Sequence, residues 1–429
     1  MTLPSLKELF TAPGEARADL IRRTRWRPGP LPDRGSSFFI HLSELCPVAC
    51  KHCMYSSDLE RKSEKDSLSP EELEEAIAFI DETRSEKLNI TGGGEPFLKL
   101  PSILRLLETV QVPRIELVTA GYWAKTQAAA DRMLDRLTGA LAKNPRKPEL
   151  MLRLSLDRYH LNAPYPVLIE HYGNVARAWD RGGHDMLLGF RGIQPDVGHV
   201  DRLLAAETGG ELTEVDAWNR RLKLPGGRSA PLTFNVFRLS GKAGELAEGA
   251  ELSTHSKTIR EYYGPFEKRQ GQLVLATAVN DAIRGSYTDT GGLAITMNSD
   301  GSFWIFCGTA PDRRLMLGDT DFAGAIEHFF ADPVTRLLVD DGVWALSDVV
   351  AELDPLCCTA AVAKNDVASL VEDLLADPAV RLAVTLVALH RLLGEQRLGV
   401  DGLPAGHEIL RPEPELIRLC RSAIAGERA

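Results

Sequence analysis

Between residues 38 and 237 short apolar runs alternate with amphipathic segments, and this alternation constrains the fold more than any other feature of the chain. The runs Phe38–Leu42, Leu88–Thr91, Ile115–Thr119, Leu150–Leu156, Met186–Phe190 and Leu232–Phe237 read as strands. Between them, Ser69–Glu82, Ile103–Val110, Thr126–Leu141, Val167–Trp179 and Val200–Ala206 read as helices. The first helix has a complete start signal: Ser69 as N-cap, Pro70 at the first helical position and Glu72 three residues after the cap. Strands separated by helices pair in parallel through right-handed crossovers. The fold class expected is α/β: a partial (β/α)6 TIM-like barrel with a C-terminal α+β extension. In such folds chemistry gathers at the C-terminal ends of the strands.

Outside the barrel the pattern changes. Residues 1–35 read as an N-terminal arm, with Leu6, Leu9 and Phe10 on one helical face and a helix-breaking stretch from Arg27 to Gly35. Residues 36–240 form the barrel, 241–290 a bridge, 291–365 the extension and 366–429 a C-terminal helical segment. The extension opens with a hairpin from Leu293 to Phe306, turned at Asp300-Gly301. Helices are expected over Ala323–Leu338, Val367–Leu375, Val380–Leu393 and Glu415–Ala425.

Composition excludes several function classes. The chain has 429 residues, and 50 basic against 60 acidic side chains give a net charge of −10. Nothing in that balance attracts a phosphate backbone, so nucleic-acid binding is not expected. The longest apolar stretch, Val380–Leu393, contains Arg381, His390 and Arg391 and reads as a core helix, not a membrane span. The first residues lack a basic region followed by an apolar one, so a cytoplasmic chain is expected. Its seven cysteines then need a reason other than disulfides.

Three of them, Cys46, Cys50 and Cys53, occupy one tight loop directly after the first strand. Three soft sulfur ligands suit zinc or an iron–sulfur cluster. Zinc would want a fourth ligand; His52 and His41 are near, but neither sits at finger spacing. With three ligands, a [4Fe–4S] cluster keeps one iron open for an exogenous ligand. The second strand ends in Gly92-Gly93-Gly94-Glu95-Pro96, where glycine lets backbone approach a ligand closely.

The C-x3-C-x2-C loop together with the Gly-Gly-Glu-Pro run resembles the radical SAM superfamily. The resemblance implies a [4Fe–4S] cluster on Cys46, Cys50 and Cys53, with its open iron chelated by S-adenosylmethionine (SAM). The residue before the third cysteine is usually aromatic there; here it is His52. Gly92, Gly93 and Gly94 would orient the methionine amino group, with Glu95 as a nearby acceptor. Ser155, at the end of the fourth strand, is the first choice for the SAM ribose, and Arg191 for the SAM carboxylate. Asp157, Tyr159 and His160 are candidate catalytic residues, placed to contact substrate or move a proton. The hairpin, Cys307 and the Cys357-Cys358 pair resemble a SPASM/twitch extension with fewer cysteines than usual. They give Cys307, Cys357 and Cys358 as candidate ligands of a second iron–sulfur cluster, with a cluster-free extension as the equal alternative. Cys420 reads as a core thiol.

The function expected from the resemblance is reductive SAM cleavage, followed by hydrogen abstraction from a small-molecule or peptide substrate. The outcome would be dehydrogenation, epimerisation or bond formation in a biosynthetic pathway. Its electron donor would be a flavodoxin or ferredoxin. The alternative from another class is a structural or sensing protein that binds metal without turnover; an RNA-modifying radical SAM enzyme fits the charge less well.

Overall fold

The computed structural model describes residues 4–24, 29, 31–60, 65–254, 258, 261, 292–305, 309–396 and 406–427. Most of the bridge, and Phe306, Cys307 and Gly308, lie outside the described residues.

One sheet runs through the molecule. Its strands are β1 (Gly35–His41), β2 (Lys87–Thr91), β3 (Arg114–Thr119), β4 (Glu149–Ser155), β5 (Leu187–Ile193), β6 (Glu211–Asp216), β7 (Asn219–Lys223), β8 (Ser229–Asn235), β9 (Leu293–Met297), β10 (Ser302–Ile305) and β11 (Leu315–Met316). Their order is β11-β10-β9-β1-β2-β3-β4-β5-β8-β7-β6. Neighbours from β1 through β5 and on to β8 are parallel, as the alternation predicts. These are the strands of a partial TIM-like barrel.

Period-two alternation sorts each barrel strand into two faces. One parity is apolar and fully buried under the helices: Leu88, Ile90, Leu117, Leu152, Leu188 and Phe190 are at most 1% exposed. The other parity faces the lumen and is largely polar, with Asn89, Thr91, Arg153, Ser155, Arg191 and Asn235 among the cavity walls. The crossover helices start where the sequence places their caps. Ser69 accepts from Glu72 N while Glu72 reaches back to Ser69 N, so the helix Pro70–Glu82 carries a full capping box. Thr126 caps Gln127–Lys143 by accepting from Ala129 N alone.

Two features depart from the sequence reading. The hairpin β6–β7 is inserted before the sixth barrel strand and extends the sheet beyond β8 in antiparallel pairing. Its strand β6 is exposed along almost its whole length, so it lacks the apolar alternation that marks a half-buried strand. The second departure is the expected helix Ala323–Leu338, which is two helices, Phe322–Phe330 and Pro333–Asp340. Pro333 cannot continue the first, and Asp332 caps the second by accepting from Val334 N.

The hairpin β9–β10 forms, with Gly301 at φ 90° in its turn. It joins the barrel's own sheet: β9 lies parallel to β1, with Phe38 opposite Ile295 and Ile40 opposite Met297. Beyond it, the helices Val343–Leu353, Pro355–Ala363, Val367–Leu374, Pro378–Gly394 and Glu413–Glu427 complete an apolar unit around the Pro378–Gly394 helix, which is buried on almost every side. No helix among the described residues is long and apolar enough to cross a membrane.

The N-terminal arm belongs to this helical unit. Its helices Leu6–Leu9 and Pro13–Arg23 bury Leu6, Leu9, Leu20 and Ile21. Arg17, only 1% exposed, reaches Asp332 at 2.5 Å, Asp312 at 2.6 Å and Thr385 Oγ1 at 2.9 Å. A buried guanidinium with its donors paired in this way is costly to strip of any one partner.

Candidate functional site

The site is built where loops leave the C-terminal ends of the barrel strands. The loop after β1 carries Cys46, Cys50 and Cys53, and all three border one cavity of about 340 Å³. Its backbone is held by Cys46 N donating to Asp58 O at 2.8 Å and Cys53 N donating to Cys50 O at 3.2 Å. Ala49, between the first two cysteines, is left-handed at φ 50°, which turns the chain tightly enough to bring them together.

Backbone N–H groups surround the sulfurs. Ser57 N donates to Cys53 Sγ at 3.4 Å, joined by Tyr55 N, and Val48 N and Ala49 N address Cys46 Sγ. The Cys50 thiol donates to Cys53. That bond, with the two backbone donors, draws Cys53 down against burial. Cys50, as donor, is pushed up, and burial adds to the rise. Burial first, then the nearby Glu95 carboxyl, pushes Cys46 up to about 11. Three sulfurs bordering one cavity, with N–H donors to the outer two, match the donor set of a [4Fe–4S] cluster, whose potential depends on such hydrogen bonds.

The glycine run passes directly over this loop. Gly94 N donates to Ser43 O at 2.7 Å and Glu95 N to Leu45 O at 2.8 Å. A Cβ on Gly94 would stand 2.0 Å from Leu45 O, so only glycine permits the crossing. Ser57 Oγ donates to Gly93 O, tying the far end of the cysteine loop to the same run. Glu95 is buried and accepts from Thr119 Oγ1 at 2.7 Å, Ala120 N at 2.8 Å and Phe97 N at 3.2 Å. It locks the ends of β2 and β3 together, and burial pushes its carboxyl up despite these bonds.

Opposite stands Asp157, N-cap of the short helix Arg158–Leu161. Its Oδ1 accepts from Tyr159 N and His160 N at 2.9 and 3.0 Å. Its Oδ2 faces His160 Nδ1 at 2.8 Å and His52 Nε2 at 3.2 Å. Burial works against the charge, but the imidazoles of His160 and His52 hold the Asp157 carboxyl well below the usual range. Burial likewise opposes protonation of His160, and Asp157 overcomes it to raise that imidazole. His52 stacks on Tyr159, with ring centroids 4.7 Å apart, and its buried Nδ1 has no hydrogen-bond partner among the described residues.

Of the sequence candidates, Cys46, Cys50, Cys53, Gly92, Gly93, Gly94, Glu95, Ser155, Asp157, His160 and Arg191 border the same cavity. Tyr159 stands behind His52, its hydroxyl donating to Glu248 at 3.2 Å. Cys307 lies outside the described residues. Cys357 and Cys358 are consecutive in the helix Pro355–Ala363, so their side chains diverge by about 100°. Cys357 Sγ approaches Asp373 O at 3.7 Å, whereas Cys358 Sγ meets Ser347 O and Oγ at 3.4 Å. The two thiols therefore engage different neighbours.

Sequence reasoning missed Arg153, Asn89, Asn235, Arg238, Val367 and Ala368, all of which border the cavity. The first two were legible as polar residues on lumen parity within otherwise apolar strands. The last two come from the helical unit, 130 residues beyond the barrel, and no local pattern announces them. Their helix docks through Ser240 Oγ on Asp366 at 2.5 Å and Asn365 Nδ2 on Phe237 O at 3.1 Å. The same connection grips the cysteine loop: Lys242 N donates to Cys53 O at 3.0 Å. Gly241, at φ 58°, passes so close that a Cβ would lie 2.5 Å from Cys53 O.

Residues 40–162 match the family profile described as the radical SAM superfamily. None of the curated proteins matched the chain. Among solved structures, native anSMEcpe with bound AdoMet is 14% identical, with a TM-score of 0.41 over 70% of this chain and 83% of its own. The hexahistidine-tagged form of anSMEcpe with bound AdoMet, also 14% identical, gives 0.42 over 84% and 95%. HydG, a maturase of the [FeFe]-hydrogenase, is 11% identical and gives 0.32 over 98% and 86%.

Proposed function

We propose that the cavity above the barrel houses a SAM-dependent hydrogen abstraction from a small substrate, in a chain whose residues 40–162 match the radical SAM superfamily profile. The observation that carries this reading is the convergence of Cys46, Cys50 and Cys53 with the Gly92–Glu95 run on one cavity. Those cysteines would hold a [4Fe–4S] cluster, and Gly92, Gly93 and Gly94 with Ser155 and Arg191 would hold SAM. When bound, the reduced cluster and SAM supply the 5′-deoxyadenosyl radical.

The chain's own residues do the positioning. The Gly92–Gly94 backbone offers its polar groups at the cluster loop, where Gly94 leaves no room for a side chain. Ser155 and Arg191 lie opposite each other on adjacent strands, so a hydroxyl and a guanidinium reach the same ligand from one wall. His160, fixed by Asp157 through Nδ1, is oriented to exchange a proton with substrate from the cavity wall. Val367 and Ala368 from the helical unit add two apolar side chains to the cavity wall. Dehydrogenation, epimerisation and bond formation all share this first abstraction.

The test is anaerobic reconstitution with iron and sulfide, then dithionite and SAM, with 5′-deoxyadenosine measured. The wild-type protein is expected to form it, and Cys50→Ala to form none. Equal product from Cys50→Ala would remove the cluster from the mechanism. Bound zinc without SAM cleavage would favour the metal-binding alternative.

A further inference from the structure

We infer that Asp157 and His52 form a positioning pair that fastens the cysteine loop to the β4 side of the barrel mouth. The inference rests on the radical SAM reading, since it takes that loop as the holder of the cluster.

The two residues come from strands that do not pair. His52 lies between Cys50 and Cys53 on the loop after β1, and Asp157 lies two residues beyond the end of β4. In the sheet β2 and β3 stand between those strands. His52 Nε2 nevertheless meets Asp157 Oδ2 at 3.2 Å, with the two side chains 14% and 4% exposed, and both residues border the cavity. The contact therefore crosses the mouth instead of following the sheet.

The Asp157 end is firmly held. Leu156 N donates to Arg191 O at 2.8 Å, Arg158 N to Asp196 Oδ2 at 2.7 Å and the Tyr172 hydroxyl to Ser155 O at 2.8 Å. An ionised carboxylate offers about four acceptor sites. In Asp157 the N–H groups of Tyr159 and His160 take Oδ1, and the imidazoles of His160 and His52 take Oδ2. Its acceptor capacity is spent on holding neighbours, which is the work of a positioning residue.

The His52 end belongs to irregular backbone. Its ring stacks on Tyr159 at an interplanar angle of 19° and lies 6.5 Å from the Phe237 ring at 7°. An apolar ring would make the same stacks without burying polar nitrogens. In His52 the buried Nδ1 has no hydrogen-bond partner among the described residues, a cost that stacking does not repay. What the imidazole adds over an apolar ring is the bond from Nε2 to Asp157. Because Ser155 lies two residues before Asp157, the same anchor sets the cysteine loop against the wall assigned to SAM. Partners outside the ligand set orient the ligands of a metal centre, and losing one typically costs about 10–100-fold in metal affinity or activity.

The test compares His52→Phe, which keeps the ring stacks and loses the bond, with His52→Gln, whose amide nitrogen can still reach Asp157. Each is reconstituted beside the wild type. Iron content, thermal midpoint, the change of the cluster's EPR spectrum on SAM addition, and kcat and KM for 5′-deoxyadenosine formation from SAM alone are measured. His52→Phe is expected to alter the EPR change and to lower kcat about tenfold or more, with a smaller effect on KM. His52→Gln should recover part of both, and Asp157→Asn should add little to His52→Phe in the double variant. A wild-type EPR change and kcat in His52→Phe overturn the inference. So does a lowered midpoint with an unaltered EPR change, the signature of a contact that only stabilises the fold. Glutamine as damaging as phenylalanine, or additive losses in the double variant, overturn it too. If His52→Phe takes up no iron, Asp157→Asn, which leaves the loop's own sequence intact, decides by the same readings. Failure of the underlying reading is separate: the wild-type protein itself would then form no 5′-deoxyadenosine.

Discussion

The molecule holds two populations of cysteine in opposite surroundings. Cys46, Cys50 and Cys53 sit on an irregular loop with a left-handed residue, N–H donors at the sulfurs of Cys46 and Cys53, and a cavity in front. Cys357, Cys358 and Cys420 sit on helices, and Cys358 and Cys420 are buried among aliphatic side chains. Burial alone pushes Cys420 up to about 12; in the loop Cys46 and Cys50 are pushed up as well, and Cys53 is drawn down by its hydrogen bonds. The same residue type thus meets irregular backbone beside a cavity in one region and helical packing in the other.

The sharpest way to break this comparison is to disturb the loop without touching a cysteine. In Gly94→Ala the new Cβ would stand 2.0 Å from Leu45 O, so the cysteine loop or the glycine run must shift. A displacement of that size in a catalytic constellation costs on the order of a hundredfold in rate. Iron content should fall with 5′-deoxyadenosine formation. Wild-type values for both would show that the loop's geometry is not what distinguishes its cysteines.

The two regions also differ in how far the sequence reveals them. The barrel was legible because its strands are short apolar runs with helices between, and because the cysteine and glycine motifs lie on contiguous loops. The capping box at Ser69 fixed one helix start to the residue. The hairpin β6–β7 was not legible, since exposed strands carry no apolar alternation. Nor was the place of β9, because which strand it pairs with depends on a contact across some 250 residues of chain. The lumen cations were half legible: Arg153 shares the parity of Ser155, but only the register across β3, β4 and β5 gathers Glu116, Arg153 and Arg191.

A smaller effect is expected in the helical unit. Cys420→Ala removes a buried sulfur and should cost about 1–2 kcal/mol by denaturant unfolding, through lost packing alone. Iron per chain should stay at the wild-type value in this variant. A fall in iron with Cys420→Ala would erase the division between the two populations.

An effect confined to acid pH comes from His41, at the end of β1 where the cysteine loop begins. It is 5% exposed, donates from Nδ1 to Asn298 Oδ1 over 2.9 Å, and packs edge-on against Tyr55. Burial lowers its imidazole from 6.5 to about 4, although the Asn298 bond acts the other way. The unfolded chain therefore binds this proton more tightly than the folded one. Stability from the neutral imidazole is complete above about pH 6.5, falls as pH drops towards about 4, and changes no further below that. The whole span is at most about 3 kcal/mol. His41→Gln, which keeps a side-chain partner for Asn298, should flatten that slope in urea unfolding measured between about pH 7 and pH 5. If the variant and the wild type lose stability in parallel over this range, acid is acting elsewhere, and the strand beneath the cysteine loop is not the acid-sensitive element of the barrel.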